Sequence, residues 1–360
     1  MKTNRPLRVL MTADCIGGVW SHAMELTRGL STDCEVTLVV FGGQLSPAQR
    51  REAGTCGARR VVESGLRLEW MDDPWEDVNR AAWLLREVEC ECTPDVIHLN
   101  GYALASESWT APVLVGAHSC VLSWWRAVKR EAPPARLEMY RTRVAAGLAE
   151  ADAVVAPTKS MLTTLHENYG VPFDGCVIAN GLDASVFVPT PKRPCILSAG
   201  RVWDEAKNIA LLETIAPRVR WPIRVAGDAN RTLRGVTVLG ALTSAALREE
   251  MSRAAIYAAP AWYEPFGLAV LEAALSGCAL VLADIPSFRE LWDGAARFVD
   301  PSSPPQWRAA LDTLAADGAE CGRLALRARR RALRFTREVM TAHYRDLYSA
   351  LVTKSLPVAA

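Results

Sequence analysis

At 360 residues, half of them hydrophobic, the chain is long for one core and comfortable for two α/β domains. Its 41 Lys+Arg against 40 Asp+Glu leave a net charge of +1, which excludes a chain-wide field for nucleic acid or acidic membranes. Ten scattered cysteines, with Cys90 and Cys92 as a lone C-x-C, exclude a disulfide scaffold and a zinc site and read as reduced thiols of a cytoplasmic protein.

The N-terminal MKTNRPLRVLMTADC enters an apolar strand pattern at once, without the apolar region and cleavage site of a signal peptide. No apolar run approaches the ~20 residues of a spanning helix. Strands are expected at Leu7–Thr12, Val36–Phe41, Asp95–Leu99, Val113–Ala117 and Ala153–Ala156, alternating with helical stretches as in parallel βα units. Residues 136–150 have helical periodicity, and Thr158 is placed to cap the next helix. The rhythm breaks at NGLDASVFVPTPKRP, residues 180–194, a linker rich in Gly and Pro. A second series follows at Cys195–Ala199, Ile223–Ala226, Val236–Leu239, Ala255–Ala259 and Ala279–Ala283, and a closing helix at Arg337–Val352. The expected architecture is two doubly wound, Rossmann-like parallel-sheet domains facing across a cleft, with ligands at the carboxyl ends of the strands. The boundaries are 1–187, 188–336 and a helix over 337–360 that crosses back to the first domain.

The strongest chemical signal is AWYEPFGLAVLEAALSG. Glu264 follows a strand, Pro265-Phe266-Gly267 makes a tight turn, and a helix from Leu268 is stopped by Gly277. A helix N-terminus exposes amides and partial positive charge, which suits a phosphate, and Gly267 lets backbone approach the ligand. Glu272, about one turn in, is within reach of a ribose, and Glu264 faces what lies beyond the phosphates. Taken alone, two acids eight apart are ordinary surface residues.

In LSAGRVWDEAKN, Arg201 follows a strand and Lys207 stands at a helix start. An Arg fork and a Lys point charge there can grip a diphosphate, or be two solvated charges. Gly17 and Gly18, after the first strand, permit a phosphate-compatible turn opening a helix near Trp20 or Ser21. The loop is not G-x-G-x-x-G, so a nicotinamide site lacks its fingerprint. His118 ends the strand VLVGA, with His98 and Asn100 ending its neighbour as weaker candidates for acceptor contacts. Trp124 and Trp125, followed by Arg126, Lys129 and Arg130, fit three readings: an acceptor pocket, a weak membrane-surface contact, or a loop packed on its own domain. No Asp-x-Asp suggests a metal-bound diphosphate, and Asp72 and Asp73 are adjacent, after a short strand. The arginine run 327–334 reads as a solvated helix face.

The string Glu-Pro-Phe-Gly-Leu-x-x-x-Glu, then Ala-x-x-x-Gly-Cys-Ala-Leu-Val, resembles the Glu-x7-Glu signature of retaining glycosyltransferases of family 4, with the GT-B fold. The Gly-Gly loop, DVIHLNG, AHS, NGLD, AGR and the closing helix extend the likeness over nearly the whole chain. The resemblance implies that Arg201 and Lys207 hold the departing diphosphate, that the Gly-Gly loop lies at the acceptor side and touches the donor phosphates, and that His22 occupies the histidine position after it. It implies that His118 meets the sugar near its anomeric carbon, with Glu264 also serving the sugar and Glu272 the ribose. It further implies a retaining hexose transfer from a nucleotide-diphosphate sugar, UDP-sugar favoured, to a hydroxyl acceptor: sugar, glycan, lipid or small molecule. No metal, cofactor or nucleic-acid partner is expected. The alternatives are a nucleotide-sugar epimerase or phosphorylase, and a sugar-nucleotide sensor with a degenerate site.

Overall fold

A computed structural model describes residues 5–229 and 231–355. Among the described residues, thirteen strands form two all-parallel sheets. The first holds β1 (Leu7–Asp14), β2 (Cys34–Phe41), β3 (Arg60–Glu63), β4 (Val96–Leu99), β5 (Val113–Gly116), β6 (Ala153–Ala156) and β7 (Gly175–Val177), in the order β3-β2-β1-β4-β5-β6-β7. The second holds β8 (Arg193–Ala199), β9 (Ile223–Ala226), β10 (Val236–Gly240), β11 (Ala254–Ala259), β12 (Ala279–Ala283) and β13 (Arg297–Val299), in the order β10-β9-β8-β11-β12-β13. The short edge strands β3, β7 and β13 were missed by the sequence reading, because three or four half-exposed residues leave no apolar run to see.

Contacts divide the chain into two compact units. Unit 1 runs to Ser123, resumes over Ala132–Gly181 and takes in the segment from Arg337 onward; unit 2 comprises Trp124–Glu131 and Leu182–Thr336. The change of unit falls at Gly181/Leu182, a few residues before the expected joint near 188.

In unit 1, successive strand residues feed opposite faces of the sheet. Val9, Met11, Val36, Leu38 and Val40 join one apolar cluster; Leu10, Val39, Phe41, Ile97 and Leu99 join the other. Helices therefore cover both faces, which is why β4 and β5 are fully buried and, His98 aside, apolar. The closing helix Arg337–Ser355 lays Met340, Tyr344, Tyr348 and Leu351 on the first cluster. Fully burying each such side chain contributes roughly 1.5–3 kcal/mol. Its approach is close: a Cβ on Gly29 would stand 2.0 Å from Thr341 Oγ1. In unit 2, β12 is buried along its whole length (Ala279–Ala283), with Trp292 and Trp307 fully buried.

Among the described residues no helix is long and apolar enough to cross a membrane. All ten cysteines are free thiols.

Candidate active site

A parallel sheet opens a crevice where its strand order reverses, because the connections there leave in opposite directions. In unit 2 that point lies between β8 and β11. Arg201 follows β8, and Glu264, Phe266, Gly267 and Leu268 follow β11.

Gly267 holds φ 86°, ψ 69° at the N-cap of the helix Leu268–Leu275, and no side chain caps that helix. The left-handed backbone favours glycine, and a Cβ there would press to 3.0 Å of Phe288 and 3.3 Å of Glu264 Cγ. The first amides of the helix are therefore left without a side-chain cap, a setting that suits an anion. Phe266 offers only its amide, since its ring is buried edge-on against Phe335 at 5.8 Å. The Glu264 carbonyl accepts from Ser287 Oγ at 2.5 Å, which pins the turn.

Lys207 Nζ donates to Glu264 Oε2 at 2.5 Å, both side chains about one-fifth exposed. Lys207 ends a 3₁₀ turn, Glu205–Lys207, rather than opening a helix; the helix Ile209–Ile215 follows a left-handed Asn208. Arg201 Nη2 donates to Asp204 Oδ2 at 2.7 Å, and its guanidinium lies 5.4 Å from the Trp203 ring. The Tyr257 hydroxyl bonds to both Ala199 backbone groups. Burial above all, with Glu272 and Glu264 adding, pushes its pKa well above the phenol range. Lys207 and Glu264 thus meet beyond the ends of β8 and β11, and Glu272 lies near enough to act on Tyr257. The two cations, however, are each already ion-paired, which spacing could not reveal.

In unit 1 the strand order reverses between β1 and β4. Gly17, at φ 77°, is the N-cap of the helix Gly18–Leu30, which starts two residues earlier than expected and has no side-chain cap. Asp14, at the end of β1, accepts from the Ile16 amide and the Trp70 indole. Asp72 and Asp73 lie in a bend, separated by a loop from the short strand β3 that precedes them.

His118 follows β5. Asn100 Nδ2 donates to the Thr12 carbonyl at 2.6 Å, so Asn100 Oδ1 must face His118 Nε2, 2.7 Å away. The proton of His118 therefore sits on Nε2 and the lone pair on Nδ1. Burial holds its pKa down to about 4. The His22 ring lies 4.4 Å from that of His118 and 6.4 Å from that of His98. His98 bonds Tyr348 OH through Nδ1 at 2.7 Å and stacks on Tyr344 at 5.2 Å. Burial, then the charge of His118, lowers His98 to about 3; burial and both other histidines hold His22 well below its ordinary value. Gly116 leaves the room this cluster needs, since a Cβ there would meet Asn100 Oδ1 at 2.5 Å.

Three features escaped the sequence reading. Asp204 is a buried carboxylate beside Arg201, and an Asp before Glu-Ala-Lys is a capping signal that could have found it. Asn100 sets the His118 tautomer, for which sequence offers no signal. Trp124–Lys129 lies within the helix Val121–Lys129, not a loop, and packs inside unit 2: Trp124 Nε1 bonds Asp204, Lys129 bonds Glu205, and Arg130 stacks 4.3 Å from Trp262. Among the described residues no group of three or more His, Cys, Asp or Glu forms a metal cage.

Residues 16–186 match the model of Glycosyltransferase Family 4, and residues 193–317 that of Glycosyl transferases group 1. The chain is 29% identical over 160 residues to the phosphatidyl-myo-inositol mannosyltransferase of Mycobacterium tuberculosis, in a match covering 38% of this chain and 42% of that protein. It thus spans about two fifths of the length of this curated relative. Sucrose-phosphate synthase from Thermosynechococcus elongatus superposes with a TM-score of 0.81 at 17% identity, over 97% of this chain and 100% of that one. Anabaena Alr3699/HepE in complex with UDP-glucose superposes at 0.77 and 16% identity, over 96% and 100%.

Proposed function

The chain belongs to the family 4 type of glycosyltransferases and carries their GT-B fold, and from that premise we propose that it transfers a hexose, with retention, from a UDP-sugar to a hydroxyl acceptor without a metal ion. The observation that carries this reading is the meeting of Lys207, Glu264 and an uncapped helix N-terminus where the strand order of unit 2 reverses. Such a place fits a diphosphate. The UDP-glucose held by the Anabaena neighbour supports the choice of donor.

In this reading unit 2 takes the nucleotide sugar and unit 1 the acceptor. Arg201, Lys207 and the amides of Phe266–Leu268 bear the diphosphate, Gly17 and Gly18 also touch it, and Glu272 binds the ribose. Glu264 and His118 serve the sugar, His118 through the lone pair on Nδ1. The bond between the anomeric carbon and the phosphate oxygen breaks, and its electron pair leaves with UDP. The acceptor oxygen then bonds that carbon from the same face, and its proton passes to the departing phosphate. Charge grows on the bridging oxygen as the bond breaks, so fixed cations help most at the barrier. With two cations and a helix end on the diphosphate, no metal is needed for that task. The ten free thiols support a cytoplasmic setting.

Thermal-shift titration with UDP, ADP and GDP tests the donor. A nucleotide at about 100 times its Kd stabilises by roughly 2.7 kcal/mol, and UDP is expected to lead. UDP-glucose is then offered with an acceptor panel in excess EDTA, and the product anomer is read by NMR. Activity lost in EDTA and restored by magnesium or manganese breaks the metal-free mechanism; an inverted product breaks retention.

A further inference from the structure

Asp204 is 6% exposed, a costly place for a carboxylate unless donors surround it. Three donors do. Arg201 Nη2 reaches Oδ2 at 2.7 Å, while the Ala206 amide at 3.0 Å and the Trp124 indole N–H at 3.1 Å share Oδ1. The Ala206 bond caps the 3₁₀ turn that ends in Lys207, and the Asp204 carbonyl accepts the Lys207 amide at 2.9 Å. One side chain therefore orients one cation directly and frames the turn that carries the other. Arg201 needs the help: its side chain is 41% exposed, and Arg loses much rotamer freedom when held.

We propose that Asp204 is a positioning residue for the diphosphate grip, holding Arg201 and the Lys207 turn in place before the donor arrives, with Trp124 as the second hold on its carboxylate. The inference rests on Arg201 and Lys207 being the diphosphate ligands. Preorganised charge lowers a barrier because nothing must reorient as the bond breaks. Asp204 achieves this at a cost, since a carboxylate beside the cations weakens their pull on a free diphosphate. Turnover and nucleotide affinity should therefore respond in opposite senses, which a scaffold residue would not produce.

Asp204→Asn keeps the shape and the Oδ1 acceptor but removes the charge. Turnover of UDP-glucose, followed by UDP release, is expected to fall about tenfold, while the calorimetric Kd for UDP stays within about twofold or tightens. In an Arg201→Ala background the same change should cost less than about threefold, because the group it orients is gone. Trp124→Phe removes only the indole N–H and is expected to lower kcat about threefold at unchanged UDP affinity. Should Asp204→Asn not fold, Trp124→Phe decides. The inference is overturned if the deciding variant turns over within about 1.5-fold of wild type, or if kcat and UDP affinity fall together. Unimpaired turnover of Arg201→Ala would instead sink the reading of the diphosphate grip.

Discussion

The strand ends of unit 1 and unit 2 solve different electrostatic problems. At β8 and β11, carboxylates and cations meet as ion pairs, Arg201 with Asp204 and Lys207 with Glu264. Around β4, β5 and the helix Gly18–Leu30, three histidines crowd together, and burial keeps them neutral. Charged groups pay for order with competition: any anion entering unit 2 must share Lys207 with Glu264. Neutral imidazoles avoid that contest and present hydrogen bonds of fixed direction, as the Asn100-set tautomer of His118 does. A site for a diphosphate needs the first kind of surface, and a site for hydroxyls the second.

The contrast breaks most readily at Lys207. If Lys207 holds the leaving group as proposed, Lys207→Ala should lower turnover on the order of a hundredfold, the scale of one preorganised donor. Stability should fall modestly, because the pair is only about one-fifth exposed and its loss leaves Glu264 without a cation. Steady-state kinetics of UDP release with a melting curve checks both. Turnover within threefold of wild type would remove the charged surface from the mechanism.

Glu272→Ala should weaken UDP by roughly 10- to 150-fold, the loss of one charged hydrogen bond of about 1.5–3 kcal/mol. Calorimetry with UDP measures it. An unchanged Kd would mean that the acid gathered near Tyr257 does not bind ribose.

The neutral cluster makes the opposite kind of prediction, one about pH. Histidines whose folded pKa lies below the unfolded value near 6.5 contribute stability that is present above pH 6.5. It is lost as pH falls toward about 4 for His118 and about 3 for His98, because the unfolded chain takes up protons that the folded one refuses. Each group costs about 1.4 kcal/mol per pH unit in that window. The hydroxyls of Tyr344 and Tyr348, packed against His98, stay neutral throughout. Melts at pH 7.5 and 5.5 should show unit 1 losing stability at the lower pH. A Tm that holds steady over this range would show that the histidines are not kept neutral by the fold.

The smallest effect sharpens the comparison best. Glu264→Gln releases Lys207 from its ion pair, so UDP should bind a few-fold more tightly, even as turnover of the sugar donor declines. Weaker UDP binding would show that Glu264 orients Lys207 for the phosphate instead of competing with it.

The long strands were legible because β1, β2 and β12 are mainly apolar runs closed by Asp or Gly, and a buried parallel strand has little freedom to be anything else. The edge strands were not, since pairing along one side only, at β3, β7 and β13, asks little of side-chain type. The turn at Gly267 was legible for a local reason: its backbone conformation and the helix after it are written within ten residues. The alternating faces of β1 and β2 likewise follow from the two-residue period of a strand. What the sequence by itself determined was thus local and periodic: which segments are strands, and which loops follow them.

Tertiary structure decided the pairings. Lys207 and Glu264 lie 57 residues apart and meet at 2.5 Å because β8 and β11 are neighbours across the reversal of strand order. His98 and Tyr348 are 250 residues apart and meet because the closing helix returns to the sheet of unit 1. The His118 tautomer depends on Thr12 in β1 and on Asn100, just after β4. Hydrogen bonds and ion pairs act over about 3 Å in space, whatever the distance along the chain. A linear pattern can therefore nominate the groups at a site, but only the packed sheet settles which of them hold one another.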